Sequence, residues 1–355
     1  MILPNDVLHG FANKKSINNT TGPITTFSLS RNISVAKFLP CLCREKKLEL
    51  LNTIASHFNH IEGFEEFFVL PLKDLPLWQR EFIAEHFLFP YDLAGNPEGE
   101  AFIVSRSGDI LVGINFYDHL LLHAIDFYSD PEKILEKLVR LDSYLHEKLS
   151  FAFSSDFGFL TTNPRNAGTG LRCKTFLHAP ALLHSQEISD VINDDSEISV
   201  SGILPSISGY AGNIVVLSNK YSLGVTEEQI LSSLRIGSSK LSVAETSAKK
   251  KYANEHTCEL KNHVLRALGL LTHSYCLELK ETLDALSWVQ LGLELGWIQG
   301  NSENTIWVPP FWQVRRGHLA FTKQPEEKNL EKETILQLRA AALKELANEL
   351  TTRGF

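Results

Sequence analysis

Residues 157–172 read Phe157-Gly-Phe-Leu-Thr-Thr-Asn-Pro-Arg-Asn-Ala-Gly-Thr-Gly-Leu-Arg172. The first five, Phe157–Thr161, predict a strand, and Leu171–Leu177 predict the next. Between them Gly168-Thr169-Gly170 forms a glycine-rich turn, where the missing Cβ lets backbone amides come close to another group. Arg172 stands at the entrance to the second strand. A Gly-Thr-Gly triplet alone says little; strand, turn and arginine in this order say much more.

Working outward, Leu48, Leu51, Ile54, Ala55 and Phe58 recur at helical spacing, so Leu42–Phe58 predicts a helix. A second helix is expected over Pro76–Phe87. After a loop marked by Gly95, Pro97 and Gly99 come two strand-like runs, Ala101–Ser105 and Ile110–Phe116. The turn Arg106-Ser107-Gly108-Asp109 joins them as a hairpin. Pro131 then opens a helix over Glu132–Leu149, with Ile134, Leu135, Leu138, Leu141 and Leu145 on one face. A further strand is expected at Asn213–Ser218, and Thr226-x-x-Gln229 is a capping box for a long helix. Beyond Lys249 the chain turns mainly helical, in Asn262–Leu279, Lys280–Leu295 and Lys332–Leu350. Thr305–Trp312, with Pro309-Pro310 and two tryptophans, interrupts these helices. Roughly the first 20 residues are polar, which predicts a loose terminus. The pattern is that of an α+β fold followed by a helical domain. The expected division is 1–95 (tail and small helical segment), 96–250 (α+β domain) and 251–355 (helical C-terminal domain).

The chain has 355 residues, 43% apolar and 21% charged, enough for a substantial core. Its net charge of −8 argues against nucleic acid as a partner, because no basic excess exists to neutralise phosphates. No apolar run reaches the ~20 residues that a membrane span needs. Met1–Lys15 lacks the pattern of a secretory leader, so a cytoplasmic location is the expectation. The five cysteines are scattered, and Cys41-x-Cys43 matches no common zinc spacing. They are expected to be reduced and mostly packed, and no metal site is indicated.

The 157–172 stretch resembles the signature of the ATP:guanidino phosphotransferases, where a strand ends in Cys-Pro-Thr-Asn, followed by Gly-Thr and an arginine. Three further segments support this. Glu85-His86-Phe87-Leu88-Phe89 is similar to a His-Phe-Leu-Phe segment whose histidine packs beside the nucleotide base. Asn115 and Asp118-His119-Leu120 match the ends of an Asn-Glu-Glu-Asp-His-Leu-Arg motif. Asn213–Gly224 matches the strand and loop after an Arg-Gly-x-x-Gly-Glu motif. The helical tail beyond about residue 250 resembles the bacterial protein-arginine kinase branch. The resemblance implies an antiparallel sheet flanked by helices, Mg-ATP as cofactor, and transfer to arginine side chains that tags proteins for a chaperone–protease system.

Carried over residue by residue, the resemblance places replacements at most charged positions. Of five phosphate-contacting arginines, the first two fall on Asn32 and Ser34, the third on Leu121 and the fifth on Ser201. The fourth is retained as Arg172, whose guanidinium would meet a polyphosphate. The substrate-side acids fall on Phe116, Tyr117 and Ser206, and the substrate-side cysteine on Asn163. His86 is retained. A regulatory Arg-Asp pair in the last helical segment is absent from Ile335–Ala340, which keeps only Arg339. Losing a base costs roughly 10²–10⁴ in rate and losing a transition-state arginine about 10³–10⁵. No catalytic constellation is intact, and tight ATP binding is not expected.

Two readings stay open. One is a kinase-shaped scaffold in protein quality control that binds a protein partner, an activator or adaptor, and forms a homo-oligomer through its C-terminal helices. The other is a working protein-arginine kinase whose missing charges come from a partner or from Arg31, Lys37, Arg165 and Lys174.

Overall fold

The computed structural model describes residues 3–12, 24–89, 97–127, 130–185, 188–192, 197–204, 209–255, 257–300, 308–323 and 330–352. Ser206, the polar stretch 13–20 and Trp307 lie outside the described residues. The chain forms two compact units. The first combines the N-terminal residues with Thr25–Lys174 and Asn219–Ser232, and the second Thr175–Ser218 with Ser233–Phe355.

In the first unit, strands β1 (Ile24–Arg31), β2 (Phe67–Pro71), β3 (Ala101–Ser105), β4 (Ile110–Ile114), β5 (Leu120–Asp126) and the start of β6 (Leu171–His178) lie in the order β2-β3-β4-β5-β1-β6. The pairs from β2 to β1 are antiparallel, with Leu111 opposite His123, Ser28 opposite His123 and Leu29 opposite Leu122. Every residue of β3, β4 and β5 is buried. Strands covered on both faces read as continuous apolar runs, which is why these segments do not alternate.

Helices α1 (Asn5–Ala12), α2 (Arg44–Ser56), α3 (Leu77–His86) and α4 (Pro131–Leu149) belong to the same unit. Asp130 caps α4 by accepting from the Lys133 amide, and Pro131 sits at the first turn, where its missing N–H costs nothing. The helix buries Ile134, Leu135, Leu138, Leu141 and Leu145 and packs against β5. The opposite face of the sheet carries an aromatic cluster. Phe102 stacks on Phe116 at 5.1 Å, and Phe89 meets Phe102 edge-on at 5.7 Å.

Two expectations change here. The terminus is not loose over its described part, because α1 buries Val7, Leu8 and Phe11. Eight residues are too few to show periodicity, and so short a helix draws its stability from tertiary packing. The Phe157–Thr161 strand shrinks to Gly158–Phe159, paired with Phe153–Ser154 in a separate ribbon. Gly158 has φ of 69°, and a Cβ there would lie 2.6 Å from the Gly168 carbonyl oxygen, so the chain folds onto its own glycine turn instead of extending the sheet.

Phe11 is 3% exposed and stacks on His86 at 4.6 Å. Phe11→Ala is expected to lower the unfolding free energy by about 3 to 5 kcal/mol. Urea denaturation followed by circular dichroism measures it; a loss under about 1 kcal/mol would mean the stack contributes little.

In the second unit β6 continues to His178, with β8 (Ile214–Asn219) beside it and β7 (Ile198–Gly202) beyond. The capping box opens α5 (Glu227–Glu255) as the sequence requires. The Thr226 amide donates to Gln229 Oε1 at 2.8 Å, and the Gln229 amide to Thr226 Oγ1 at 3.2 Å. Helices α6 (Thr257–His273), α7 (Leu279–Glu294) and α8 (Lys332–Asn348) follow, and α6 packs on both of the others. The run expected over Asn262–Leu279 breaks at residues 274–278. There the Leu277 amide donates to the Leu336 carbonyl, and the Leu277 carbonyl accepts from Arg339 Nη1 at 2.6 Å. A backbone tied to α8 cannot also complete α6. Among the described residues no helix is long and apolar enough to cross a membrane.

Candidate functional site

The signature loop is held by its own polar groups. Thr161 Oγ1 donates to the Asn163 carbonyl at 2.7 Å, and Asn163 caps the short turn Pro164–Asn166. The Thr169 amide donates to the Ser222 carbonyl at 3.0 Å. A Cβ on Gly168, at φ of 98°, would lie 2.2 Å from that carbonyl oxygen, so only glycine fits.

Past this turn, β6 carries Arg172 and Lys174 on one face, two residues apart. Arg172 Nη1 donates to the Asn219 carbonyl at 2.8 Å and Nη2 to Asn166 Oδ1 at 3.4 Å. No described carboxylate pairs with Arg172, and Lys174 has no hydrogen bond or ion pair among the described residues. Burial lowers the pKa of both, and for Lys174 the Arg172 charge adds to it. Two cations withdrawn from water without a counter-ion can hold an anion.

His123 lies near enough to Lys174 to feel its charge. Its Nε2–H donates to the Phe87 carbonyl at 2.8 Å, which leaves Nδ1 to accept from Ser28 Oγ at 2.8 Å. Burial pushes its pKa down to about 4, the Phe87 bond opposing and Lys174 adding to the fall. Above about pH 6.5, the ordinary value, neither folded nor unfolded chain binds this proton; between about 6.5 and 4 only the unfolded chain does. Stability should therefore fall by on the order of 3 kcal/mol over that window. Comparing the pH profile of His123→Gln with that of the unsubstituted chain tests this, since the window's contribution should vanish.

The other expected positions are occupied differently. Asn32 is 1% exposed; its Nδ2 donates to Asp118 Oδ1 at 2.6 Å and its Oδ1 accepts from the His119 amide at 3.0 Å. Asp118 Oδ1 also accepts from the Thr162 amide, and His119 Nδ1 accepts from the Ile33 amide, so this pair anchors β1 to the signature loop. Ser34 is exposed, and its amide donates to the Ser150 carbonyl. Leu121 lies buried within β5. Phe116 belongs to the aromatic cluster, whereas Tyr117 is 51% exposed. Ser201 is an exposed residue of β7 in the second unit. His86 is buried: its Nε2 lies 2.9 Å from the Gly108 carbonyl oxygen, and Phe11 covers one ring face.

Of the substitute cations, Arg31 is spent internally. Its Nε and Nη2 donate to the two Asp142 carboxylate oxygens at 2.9 and 2.8 Å, and Nη1 to the Ser30 and Thr169 carbonyls. The guanidinium carbon sits 3.6 Å above the Phe159 ring. Lys37 and Arg165 are exposed, while Arg339 is buried and bonds the Val314 and Leu277 carbonyls. The Arg31–Asp142 pair had one sequence signal, a carboxylate next to the apolar face of a helix, which calls for a cation.

Comparison with known proteins decides the family. Residues 49–248 match the ATP:guanido phosphotransferase C-terminal catalytic domain, and residues 257–354 the protein-arginine kinase McsB C-terminal domain. The protein-arginine kinase of Chlamydia pneumoniae is 62% identical over 358 residues, covering 100% of both chains. The chain belongs to the ATP:guanido phosphotransferase family, in its protein-arginine kinase branch. The protein-arginine kinase of Chlamydia muridarum is 51% identical, over 99% of this chain and 100% of that one. That of Clostridium perfringens (strain 13 / Type A) is 31% identical, over 80% and 84%. Two solved structures share the fold. The duplicated taurocyamine kinase of Schistosoma mansoni with bound transition state analog components has a TM-score of 0.60 at 21% identity, covering 66% of this chain and 34% of that one. Lombricine kinase gives 0.57 at 18%, covering 68% and 71%.

Membership of an ATP-using family makes Mg-ATP the group to test against the ATP:guanido phosphotransferase residues present here. Arg172 and Lys174 fit a phosphate anion. At the other positions expected from the resemblance, Phe11 covers His86 and Leu121 is apolar, while the neighbouring Arg31 is already paired with Asp142.

Proposed function

We propose that this chain is a protein-arginine kinase relative with little or no phosphoryl transfer, acting as a cytoplasmic scaffold that binds a regulatory partner in protein quality control. The supporting observation is the internal use of groups at, or next in sequence to, the expected site positions. Arg31 is locked to Asp142, Asn32 to Asp118, and Phe116 into the aromatic cluster. Phosphoryl transfer relies on positioned charge rather than covalent chemistry, so a site whose polar groups serve the fold loses its means of catalysis. The partner would be an activator or adaptor protein, and the helices α6, α7 and α8 offer the surface for self-assembly.

A second reading, an active protein-arginine kinase completed by a partner, draws on the uncompensated Arg172 and Lys174 and on the 62% identity to a protein of that name. Calorimetry with Mg-ATP, with and without an arginine-containing protein, separates the two. The expected result is no saturable heat at millimolar Mg-ATP from a folded sample. Saturable binding in the micromolar range would favour the kinase.

A further inference from the structure

We propose that a groove beside the signature loop is the docking site for a partner protein's segment in which arginine or lysine alternates with apolar residues. This inference rests on the scaffold reading and supplies the chemistry of its partner. The groove holds about 690 Å³ and is lined chiefly by Phe153, Asp156, Phe157, Leu223, Glu227 and Glu228. None of the residues lining it is a lysine, arginine or histidine, so it is separate in charge from the Arg172 site.

Its apolar members face water. Phe153 is 61% exposed, Phe157 55% and Leu223 46%. Large apolar groups clustered at one exposed place mark an interaction surface more often than lone ones do. The platform beneath them is firm. The Phe159 amide donates to the Gly168 carbonyl at 2.9 Å, Thr169 is tied to Ser222, and the Arg31 guanidinium covers Phe159 from behind. A rigid surface loses little entropy when a segment settles on it.

Charge selects the occupant. Among the described residues the side chains of Asp156, Glu227 and Glu228 have no hydrogen-bond or ion-pair partner. Glu227 feels the charge of Arg31, which Asp142 already takes in a two-bond pair. Burial raises the Glu227 pKa, the Asp142 and Glu228 charges add to the rise, and Arg31 opposes it. Unpaired carboxylates beside exposed phenyl rings suit a guanidinium or ammonium group, which can pair with the acid and lie over the ring. The apolar neighbours of that cation would cover Phe153, Phe157 and Leu223.

The test is fluorescence anisotropy on the full chain with a labelled peptide of alternating arginine and leucine. A peptide of alternating glutamate and leucine is the control. The arginine peptide is expected to bind saturably and more weakly as salt rises, and the control not to bind. Glu227→Gln combined with Glu228→Gln should weaken binding about tenfold, as should Phe157→Ser. Asp156→Asn, in an exposed turn, reads the same surface if the double variant folds poorly. No binding of the arginine peptide, equal binding of both peptides, or unchanged affinity in the folded variants would overturn the groove assignment. So would self-association of the chain lost in the same variants, which would make a second copy the occupant. Phosphoarginine formation in the same samples bears only on the loss of catalysis, so either idea can fail while the other stands.

Discussion

Incubated with Mg-ATP and an arginine-rich protein, the purified chain is expected to form no phosphoarginine above background. A positioned base contributes roughly 10²–10⁴ to such a rate, and one transition-state arginine about 10³–10⁵. These contributions do not add, since the groups act as a unit. Two positions in the structure motivate this expectation. Leu121 is 6% exposed at the second position of a buried strand, where an arginine would have to desolvate beside an aromatic cluster. Arg31, the cation next in sequence to the replaced position at Asn32, lies on the α4 side with both edges of its guanidinium engaged. Acid-labile phosphorus on arginine, detected by mass spectrometry and lost in Arg172→Ala, would overturn the scaffold reading.

Arg31→Ala is expected to cost about 3 to 5 kcal/mol of stability, the range for removing one member of a buried ion pair. Arg31 is 1% exposed, and its removal leaves the Asp142 carboxylate without its cation and Phe159 without a cover. The desolvated carboxylate makes the cost large, so replacing both partners should be milder. Arg31→Met with Asp142→Leu should lose markedly less than Arg31→Ala, a non-additivity that a double-mutant cycle in urea measures. If the two substitutions prove additive, the pair adds no coupling energy and the geometry has been over-read. Gly170 takes part in this arrangement, since a Cβ there would lie 2.5 Å from Arg31 Nη1.

Much of the fold was legible because its signals are local. The periodic leucines of α4, the hairpin turn at Gly108 and the reciprocal Thr226–Gln229 cap each involve residues within a few positions of one another. The glycine-turn-arginine order at 168–172 pointed to the family and to a retained anion contact. Phe11 over His86 was not legible, because one short apolar helix among polar residues gives no pattern until the surface that buries it exists. Nor was the groove beside the signature loop, since Phe157 reads as a strand residue until the chain bends at Gly158.

By itself, then, the sequence determined the β3–β4 hairpin, the α4 helix and the Thr226–Gln229 cap, since these depend on residue type and short spacing. Only the tertiary structure decided how the remaining charges are spent. Arg31 meets Asp142 across 111 residues of chain, while Arg172 and Lys174 meet no carboxylate among the described residues. Whether a cation is free to bind a ligand depends on which distant groups the fold brings within hydrogen-bond range, and on how much water it removes from around them.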